Sequence, residues 1–367
     1  MSGTILSAIR VLCPTQGRWI AIEDGRIKQV GLGKPPTDAD ELPGFLVPGF
    51  IDLQVNGIGD VDFSDATSDD WQRARMELQS HGVTGFLPTL ISAPLDSYSE
   101  KLTAIRAAKV ADVGAAVLGA HLEGPFLGGA PGAHTKELLR AADPDWLADL
   151  LKTFPDLIAV MTLSPEADSK FQATRLLTES GVVVALGHST ATYDEARAAA
   201  DAGAVMVTHL FNAMSPLAHR DPGLVGAALD DDRLTPTLIA DLVHVHPAAL
   251  RLAIQKKENV AIVSDSIGPD TKQARSLGVR VVGGTPRLPD GTLAGSVLTL
   301  DVAIANLVRI GISLERAVEM ASAIPAAILG LTDRGTIEPG RRADLVLLEP
   351  ESLRVRQVWV EGQLVHG

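Results

Sequence analysis

Cysteine, aromatic residues and long apolar runs are scarce in this sequence. Its 367 residues include one cysteine, Cys13, and aromatic residues make up 4%. A single cysteine cannot form an internal disulfide, and the N-terminus (MSGTILSAIRVL) lacks the basic-then-apolar layout of a secretory signal, so we expect a reducing, cytoplasmic location. Apolar runs are far shorter than the roughly 18–20 residues of a membrane helix, which predicts that the protein has no membrane partner.

Clusters of basic residues are also absent. The chain has 32 Lys+Arg against 45 Asp+Glu, a net charge of −13. An acidic chain without a Lys/Arg patch is unsuited to nucleic acid or to anionic membranes, so we expect neither as a partner. Hydrophobic residues make up 46%, which is enough for a large core and argues against disorder. An anionic substrate would need a local basic contact.

What the sequence does contain is an alternation of predicted strands and helices. One predicted helix, 68–81, places Trp71, Ala74 and Leu78 on one face and ends at Gly82, and another has Asp143 as its N-cap. Strands that alternate with helices pair in parallel, and eight such units predict a closed (β/α)8 barrel of the TIM type. The eight apolar runs are 46–54, 84–90, 115–123, 157–164, 182–188, 205–209, 237–241 and 260–265.

The two ends of the chain have a different pattern. Residues 1–47 and 334–367 contain short alternating strands separated by turn signals such as Pro339-Gly340 and Glu361-Gly362. Neither segment is long enough to bury a core alone. We therefore predict one small composite β-sandwich from 1–47 and 334–367, beside a catalytic barrel of 48–333.

Five of the eight apolar runs finish at or next to a side chain that can bind a metal or move a proton. These are Gln54, Glu123, His188, His209 and Asp265. A barrel brings the carboxyl ends of all its strands to one mouth, so these dispersed residues should converge there. This arrangement predicts the active site.

Glu123, His188 and His209 are the candidate metal ligands. Three Glu/His ligands that leave positions open are what a hydrolytic metal site requires. His121 and Glu123 are two apart at a strand end and share a face, so one or both could be ligands, or the pair could form a salt bridge. Asp265 is the candidate general base for the attacking water, the alternative being a loop cap.

These residues lie in motifs that resemble the N-acetylglucosamine-6-phosphate deacetylases of the amidohydrolase superfamily. The resemblance covers essentially the whole chain. It implies that Glu123, His188 and His209 bind one catalytic divalent metal, that Asp265 is the catalytic acid/base, and that His134 polarises the acetamide carbonyl. The motifs are PGFID (48–52), HLEGP (121–125), GHS (187–189), THLFNAM (208–214), ADLVHV (240–245), VSD (263–265) and LAGS (293–296).

The resemblance also implies a set of substrate contacts and an assembly. Arg220 resembles an arginine that the family supplies to the phosphate across a homodimer interface, a role that suits the planar, bidentate guanidinium. The remaining implied contacts to the amino-sugar phosphate are Ala133, Asn212, Ala213, His244, Leu293 and Gln54.

Two features depart from the family pattern. Many amidohydrolases carry His-x-His on the first strand for a second metal, but this chain has Gln54-Val55-Asn56. Amides are poor zinc ligands, so we expect one metal, with Gln54 hydrogen-bonding its water. The loop 128–132 has no basic residue, so phosphate binding would depend on Arg220, His244 and backbone amides.

The sequence thus predicts hydrolysis of the acetamide of N-acetylglucosamine 6-phosphate to acetate and glucosamine 6-phosphate. Zinc is the expected metal, and Fe, Mn and Co also suit these ligands. The galactosamine isomer and an unphosphorylated N-acetylhexosamine stay open as substrates. A cyclic-amide hydrolase should show a bridging lysine, and no lysine ends a strand. A non-catalytic sugar-phosphate binder should have lost at least one of Glu123, His188, His209 or Asp265, but all four are present.

Overall fold

The computed structural model describes residues 6–11, 18–33, 41–111 and 114–367. Cys13 lies outside these residues. The strands of the described part, in chain order, are β1 (Leu6–Val11), β2 (Arg18–Glu23), β3 (Arg26–Leu32), β4 (Phe45–Pro48), β5 (Phe50–Val55), β6 (Gly57–Ile58), β7 (Val61–Asp62), β8 (Val83–Ile91), β9 (Ala116–Val117), β10 (Ala120–Glu123), β11 (Ile158–Leu163), β12 (Val183–Leu186), β13 (Met206–Val207), β14 (Thr235–Leu238), β15 (Ala261–Ile262), β16 (Arg280–Val282), β17 (Thr285–Arg287), β18 (Leu345–Leu348), β19 (Val355–Val360) and β20 (Gln363–His366).

Helices connect most of these strands. The helices of the described part are α1 (Ser68–Ser80), α2 (Tyr98–Val110), α3 (Pro144–Thr153), α4 (Gln172–Glu179), α5 (Tyr193–Asp201), α6 (Gly223–Asp230), α7 (Pro247–Lys256), α8 (Lys272–Ser276), α9 (Leu300–Arg309), α10 (Leu314–Ala321) and α11 (Ala323–Ile328), with 3-10 turns at Leu95–Ser97 and Lys136–Leu138. None of the helices in the described ranges combines the length and the hydrophobicity of a membrane-spanning segment.

Eight parallel strands form the barrel. Their order is β5-β8-β10-β11-β12-β13-β14-β15, so consecutive barrel strands are neighbours. Just beyond the last strand, Ser266 bridges in parallel to Val55 of the first, and the Asp265 N–H donates to the Gln54 carbonyl at 2.9 Å. The predicted (β/α)8 barrel is confirmed, and the strand ends that carry the candidate site meet at its mouth.

The predicted first strand, 46–54, is wrong in its extent. Residues Phe45–Pro48 pair antiparallel with β18, while Phe50–Val55 begin the barrel, so the run belongs to two sheets. The break is at Gly49, where an added Cβ would lie 2.2 Å from Thr84 Oγ1. Because both pieces are buried, the hydrophobic pattern continues across the break and conceals it.

The terminal segments form two sheets, β1-β2-β3 and β20-β19-β18-β4. Strand β18 shows how they pack: Leu345 and Leu347 face the N-terminal sheet, whereas Val346 and Leu348 join the barrel core, as the two-residue period of a strand requires. The predicted composite sandwich is confirmed, while its boundaries at 47 and 334 stay predictions. Its buried residues are Ile20, Ile22, Ile27, Leu46, Ala343, Leu345, Leu347 and Trp359.

The local signals for two helices are confirmed. Helix α1 has a capping box at Thr67, buries Trp71, Ala74 and Leu78, and is followed by Gly82 at φ 81°. Helix α3 follows Asp143, whose side chain accepts from the Trp146 N–H at 3.0 Å. These helices pack outside the strands and fix the direction in which each strand delivers its end.

The segment after β15 leaves the barrel and returns over its mouth. It contains α8 and the β16–β17 hairpin, and its side chains Ala274, Val279 and Ala294 form a small buried cluster. Ala133, from the loop after β10, packs against that cluster. The segment therefore supplies one apolar wall above the strand ends.

A buried carboxyl, Asp52, lies where the first and last barrel strands meet. It is 1% exposed and accepts from the N–H groups of Gln54 and Ser264, both at 3.2 Å. Burial raises its pKa from 3.8 to about 7, although these hydrogen bonds act in the opposite direction. The folded state therefore binds this proton more tightly than the unfolded state. The resulting contribution to the free energy of unfolding is complete below about pH 4, decreases as the pH rises, and is lost above about pH 7.

Asp52→Asn should remove this pH dependence because asparagine is neutral and keeps an acceptor for both N–H groups. We expect the free energy of unfolding of wild type relative to the variant to be smaller at pH 8 than at pH 5. Urea unfolding of both proteins at the two pH values measures it. An unchanged difference would place the carboxyl pKa well below the range tested.

Candidate metal centre and active site

Glu123, His188 and His209 converge at the mouth of the barrel. They end or follow β10, β12 and β13, and all three are buried. Glu123 Oε1 lies 3.1 Å from His188 Nε2 and 3.0 Å from His209 Nε2, and the two Nε2 atoms are 3.1 Å apart. One oxygen and two nitrogens therefore surround a single point.

The hydrogen bonds of His188 show that this point suits a cation. Its Nδ1 faces the carbonyl oxygens of Ala130 and Pro131 at 3.2 and 3.1 Å, which only accept, so Nδ1 carries the hydrogen. In the neutral ring, Nε2 then directs a lone pair at the Glu123 carboxylate. Two acceptors that face each other need a cation between them, and Glu/His/His is a set that divalent metals prefer.

The charge state of Glu123 fits the same conclusion. Burial acts to raise the pKa of this carboxyl, but the facing imidazoles of His188 and His209 outweigh it when Nε2 is protonated, because they then donate hydrogen bonds and add positive charge, and they hold the pKa well below the usual range. The group is therefore an anion in the interior. A buried carboxylate is stable only when it is paired or bound to a metal.

The backbone is strained at three of the strand ends. His188, His209 and Asp265 have φ values of 48°, 33° and 48°, in the left-handed region that non-glycine residues rarely adopt. Such conformations cost energy and persist where the surrounding structure imposes them, typically at functional sites. Here they turn the three side chains into the mouth as their strands end.

His121 is not part of the cluster, which settles the alternative left open for the His-x-Glu pair. Its Nδ1 lies 2.9 Å from the Leu53 carbonyl oxygen and its Nε2 lies 2.8 Å from Thr162 Oγ1. Burial lowers its pKa to about 4, so the ring is neutral. Among the described residues, only Glu123, His188 and His209 form a group that could hold a metal.

Asp265 lies beside this centre and is held by two amides from the first strand. Gln54 Nε2 donates to Asp265 Oδ1 and to Glu123 Oε1, both at 3.1 Å, and Asn56 Nδ2 donates to Asp265 Oδ1 at 2.8 Å. Burial, with the negative charge of Glu123, raises the pKa of Asp265 to about 6. A carboxyl group with such a pKa can accept a proton near neutral pH and give it back.

Gln54, which the resemblance implies as a substrate contact, lies outside the lining of the cavity described below. It is buried behind the two carboxylates and links them. Sequence reasoning did not select Asn56 as a site residue. The signal was its position two residues after Gln54, which puts both amides on the same face of the strand.

His134 lies in the interior, next to the metal ligands. Its Nδ1 accepts from the Ser92 N–H at 3.3 Å and lies 2.8 Å from Ser92 Oγ. The hydrogen is thus on Nε2, which is 3.8 Å from Glu123 Oε2. Burial and the neighbouring His188 lower the pKa of His134 to about 3, so it is a neutral N–H donor. Sequence reasoning missed Ser92, which precedes His134 by 42 residues.

A cavity of about 370 Å³ opens over these groups. Ala133, Asn212, Ala213, His244 and Leu293, all expected as substrate contacts, line it together with Glu123, His134, His188, His209 and Asp265. One wall is apolar and comes from the segment after β15.

Two features of the polar wall bear on phosphate binding. His244 Nδ1 donates to Asp241 Oδ2 at 2.6 Å, a pairing that the three-residue spacing in ADLVHV could have revealed. Among the described residues, those that line the cavity include no lysine or arginine. Arg220 is exposed and lies outside this lining, so within one chain it does not reach the cavity.

Comparison with known proteins decides the family. Residues 45–365 match the amidohydrolase family. The chain belongs to this family. The bovine (Bos taurus) N-acetylglucosamine-6-phosphate deacetylase is 40% identical over 341 residues, which cover 87% of this amidohydrolase and 83% of the relative. The N-acetylgalactosamine-6-phosphate deacetylase of Escherichia coli O157:H7 is 37% identical over 378 residues, 98% of each chain.

Solved structures agree with this assignment. The N-acetyl-D-glucosamine-6-phosphate deacetylase of Mycobacterium smegmatis, solved as a mutant in complex with N-acetyl-D-glucosamine-6-phosphate, has a TM-score of 0.91 and 33% identity over the whole of both chains. The Pasteurella multocida enzyme has a TM-score of 0.89 and 30% identity, covering 98% of this amidohydrolase and 99% of that chain. This amidohydrolase is therefore a hydrolase of a metal-dependent family.

Proposed function

We propose that this amidohydrolase hydrolyses the acetamide of N-acetylglucosamine 6-phosphate to acetate and glucosamine 6-phosphate, a step of amino-sugar catabolism. The carrying observation is that Glu123, His188, His209, Asp265 and His134 all line one cavity at the barrel mouth. Relatives with this named activity, 33–40% identical over most of the chain, support the choice of substrate.

Glu123, His188 and His209 would hold one divalent metal, with zinc the best match to a carboxylate and two imidazoles. When bound, such a cation makes a water molecule acidic enough to attack near neutral pH and polarises a carbonyl. Gln54 and Asn56 stand where other amidohydrolases have two histidines, and both donate to carboxylate oxygens. This use of the amides supports a single metal.

Asp265 is the proton carrier in this proposal. Its carboxylate takes a proton from the attacking water and later gives it to the departing amino nitrogen. The amides of Gln54 and Asn56 fix its Oδ1. The neutral imidazole of His134 donates from Nε2 to the carbonyl oxygen, where negative charge develops.

His134→Gln should lower kcat by about 10²–10³-fold, the usual cost of losing one donor to a developing oxyanion. KM should change little, because the donor acts mainly on the transition state. Steady-state kinetics measure both. Ser92→Ala, which removes the hydroxyl beside His134 Nδ1, should give a smaller loss in kcat. Unchanged kcat in His134→Gln would remove His134 from the reaction.

The 6-phosphate needs a cation, and the cavity lining in the described part of the chain contains no lysine or arginine. Arg220 is exposed on the segment between β13 and α6, and Leu217 on the same segment is 53% exposed. We assign Arg220 to the phosphate in the cavity of a second copy, which makes the enzyme a homodimer with shared sites. Within the chain, His244 and the backbone at Asn212 and Ala213 would complete the phosphate contacts.

Arg220→Ala should raise KM for the phosphorylated sugar and leave turnover of the unphosphorylated sugar unchanged. If Arg220 acts across the interface, mixing this variant with Asp265→Asn restores one site in each mixed dimer, about a quarter of wild-type activity for random pairing. Activity of the mixture and of each parent tests this. Verified mixed dimers with no recovered activity would show that Arg220 does not serve the partner.

The galactosamine isomer is the second candidate substrate, because the E. coli N-acetylgalactosamine-6-phosphate deacetylase aligns over 98% of the chain. Acetate release from N-acetylglucosamine and N-acetylgalactosamine, each with and without a 6-phosphate, separates the candidates. Preference for the glucosamine phosphate supports the proposal. Equal or faster turnover of an unphosphorylated sugar would contradict the assigned substrate.

A further inference from the structure

Glu166 lies in the turn that follows β11 and uses both carboxylate oxygens. Its Oε1 accepts from the N–H groups of Gly129 at 3.1 Å and Thr190 at 2.7 Å. Its Oε2 accepts from Ser189 Oγ at 2.7 Å. One side chain therefore joins three successive barrel loops, those after β10, β11 and β12.

Two of those loops carry site residues. The loop after β10 leads to His134, and His188 immediately precedes Ser189 in the loop after β12. The loops also contact each other directly: the Gly128 N–H donates to the His188 carbonyl oxygen at 3.0 Å. The carbonyls of Ala130 and Pro131, which accept from His188 Nδ1, are one and two residues beyond Gly129.

The close approach of these loops explains the two glycines. An added Cβ at Gly128 would lie 2.1 Å from Glu166 Oε1, and one at Gly129 would lie 2.4 Å from Thr190 Oγ1. With Glu166 and Thr190 in these positions, the loop has no room for a Cβ at either glycine, and a side chain there would displace one of the two. This packing gives the Gly-Gly pair of the uncharged loop a structural role.

We propose that Glu166 is a positioning residue that fixes His188 as a metal ligand and holds the loop leading to His134. The hydrogen bonds from Gly129, Ser189 and Thr190 lock the loop carbonyls against His188 Nδ1, so Nε2 keeps its lone pair for the metal. Such partners of ligating histidines tune metal affinity. The inference rests on the proposed metal-dependent function, but its main test needs no substrate.

Glu166→Ala removes both acceptor oxygens, and with them the hydrogen bonds from the Gly129 and Thr190 N–H groups and from the Ser189 hydroxyl. We expect zinc affinity, measured by competition with a chromophoric chelator, to fall by about 10- to 100-fold. With the phosphorylated sugar, kcat should fall while KM stays close to the wild-type value. Ser189→Ala, which removes only the bond to Oε2, should shift zinc affinity in the same direction by less.

Asp168→Asn is the matched control. Asp168 lies two residues further on and accepts from the N–H and Oγ1 of Thr174, both at 2.8 Å, so the hydrogen bonds of its side chain go to the first turn of α4 and not to a site loop. This variant should lower Tm without changing zinc affinity. If folded Glu166→Ala and Ser189→Ala both bind zinc as tightly as wild type, Glu166 has no positioning role. If the variants bind zinc more weakly but the wild-type enzyme deacetylates none of the sugars, this inference stands and the proposed substrate is wrong.

Discussion

Replacing Asp265 with asparagine is expected to lower kcat by about 10²–10⁴-fold, the contribution typical of a general acid–base group. The substitution preserves shape, and its amide oxygen can still accept from Asn56, which donates to Asp265 Oδ1 at 2.8 Å. What it removes is the site that takes a proton from water. Zinc content should stay at the wild-type level because Asp265 is not one of the three clustered ligands.

Steady-state kinetics with the phosphorylated substrate, together with metal analysis of the same preparation, test this expectation. Asn56→Ala is the matched control, since it removes a hydrogen bond to the carboxylate and keeps the carboxylate itself. Its kcat should fall much less. An Asp265→Asn enzyme with near wild-type turnover would exclude Asp265 as the proton carrier.

His209→Ala should cost the enzyme both its metal and its activity. Glu123 Oε1 lies 3.0 Å from His209 Nε2, and the imidazole is one of only three clustered donors in the described part of the chain. Removing a ligand should weaken zinc binding by more than the about 10- to 100-fold lost when a partner of a ligand is removed. Metal content after dialysis against a weak chelator, and acetate release, are the measurements.

His121→Gln is the control for that variant. His121 is buried two residues before Glu123, but both its ring nitrogens face Leu53 and Thr162. Its substitution should lower stability and leave the zinc content intact. The ligand assignment is refuted if the His121 variant loses zinc while the His209 variant retains it.

The main residues of the site could be predicted because each of them stands at the end of a predicted strand. Glu123, His188, His209 and Asp265 each follow a short apolar run, and a barrel brings such ends together from distant parts of the chain. The ambiguity between His121 and Glu123 has a geometric cause. Residues two apart on a strand share a face but differ in depth by about 6.6 Å, so only one reaches the mouth.

The supporting contacts could not be predicted in the same way. Ser92 and Glu166 contact site loops that are 23 to 42 residues away in sequence. Such contacts depend on how adjacent loops pack, and no periodic pattern encodes that. The split of the first predicted strand at Gly49 was missed for a related reason: both halves are buried, and burial is the signal that hydrophobic patterns report.

The central claim is that one divalent metal, held by Glu123, His188 and His209, supports hydrolysis of the acetamide. Its most direct test is a titration of metal-free enzyme with zinc, following acetate release from N-acetylglucosamine 6-phosphate. We predict that activity rises linearly to one zinc per chain and then stays constant, with equal amounts of acetate and glucosamine 6-phosphate formed. Full activity without metal, or a rise that continues to two zinc ions per chain, would contradict the account.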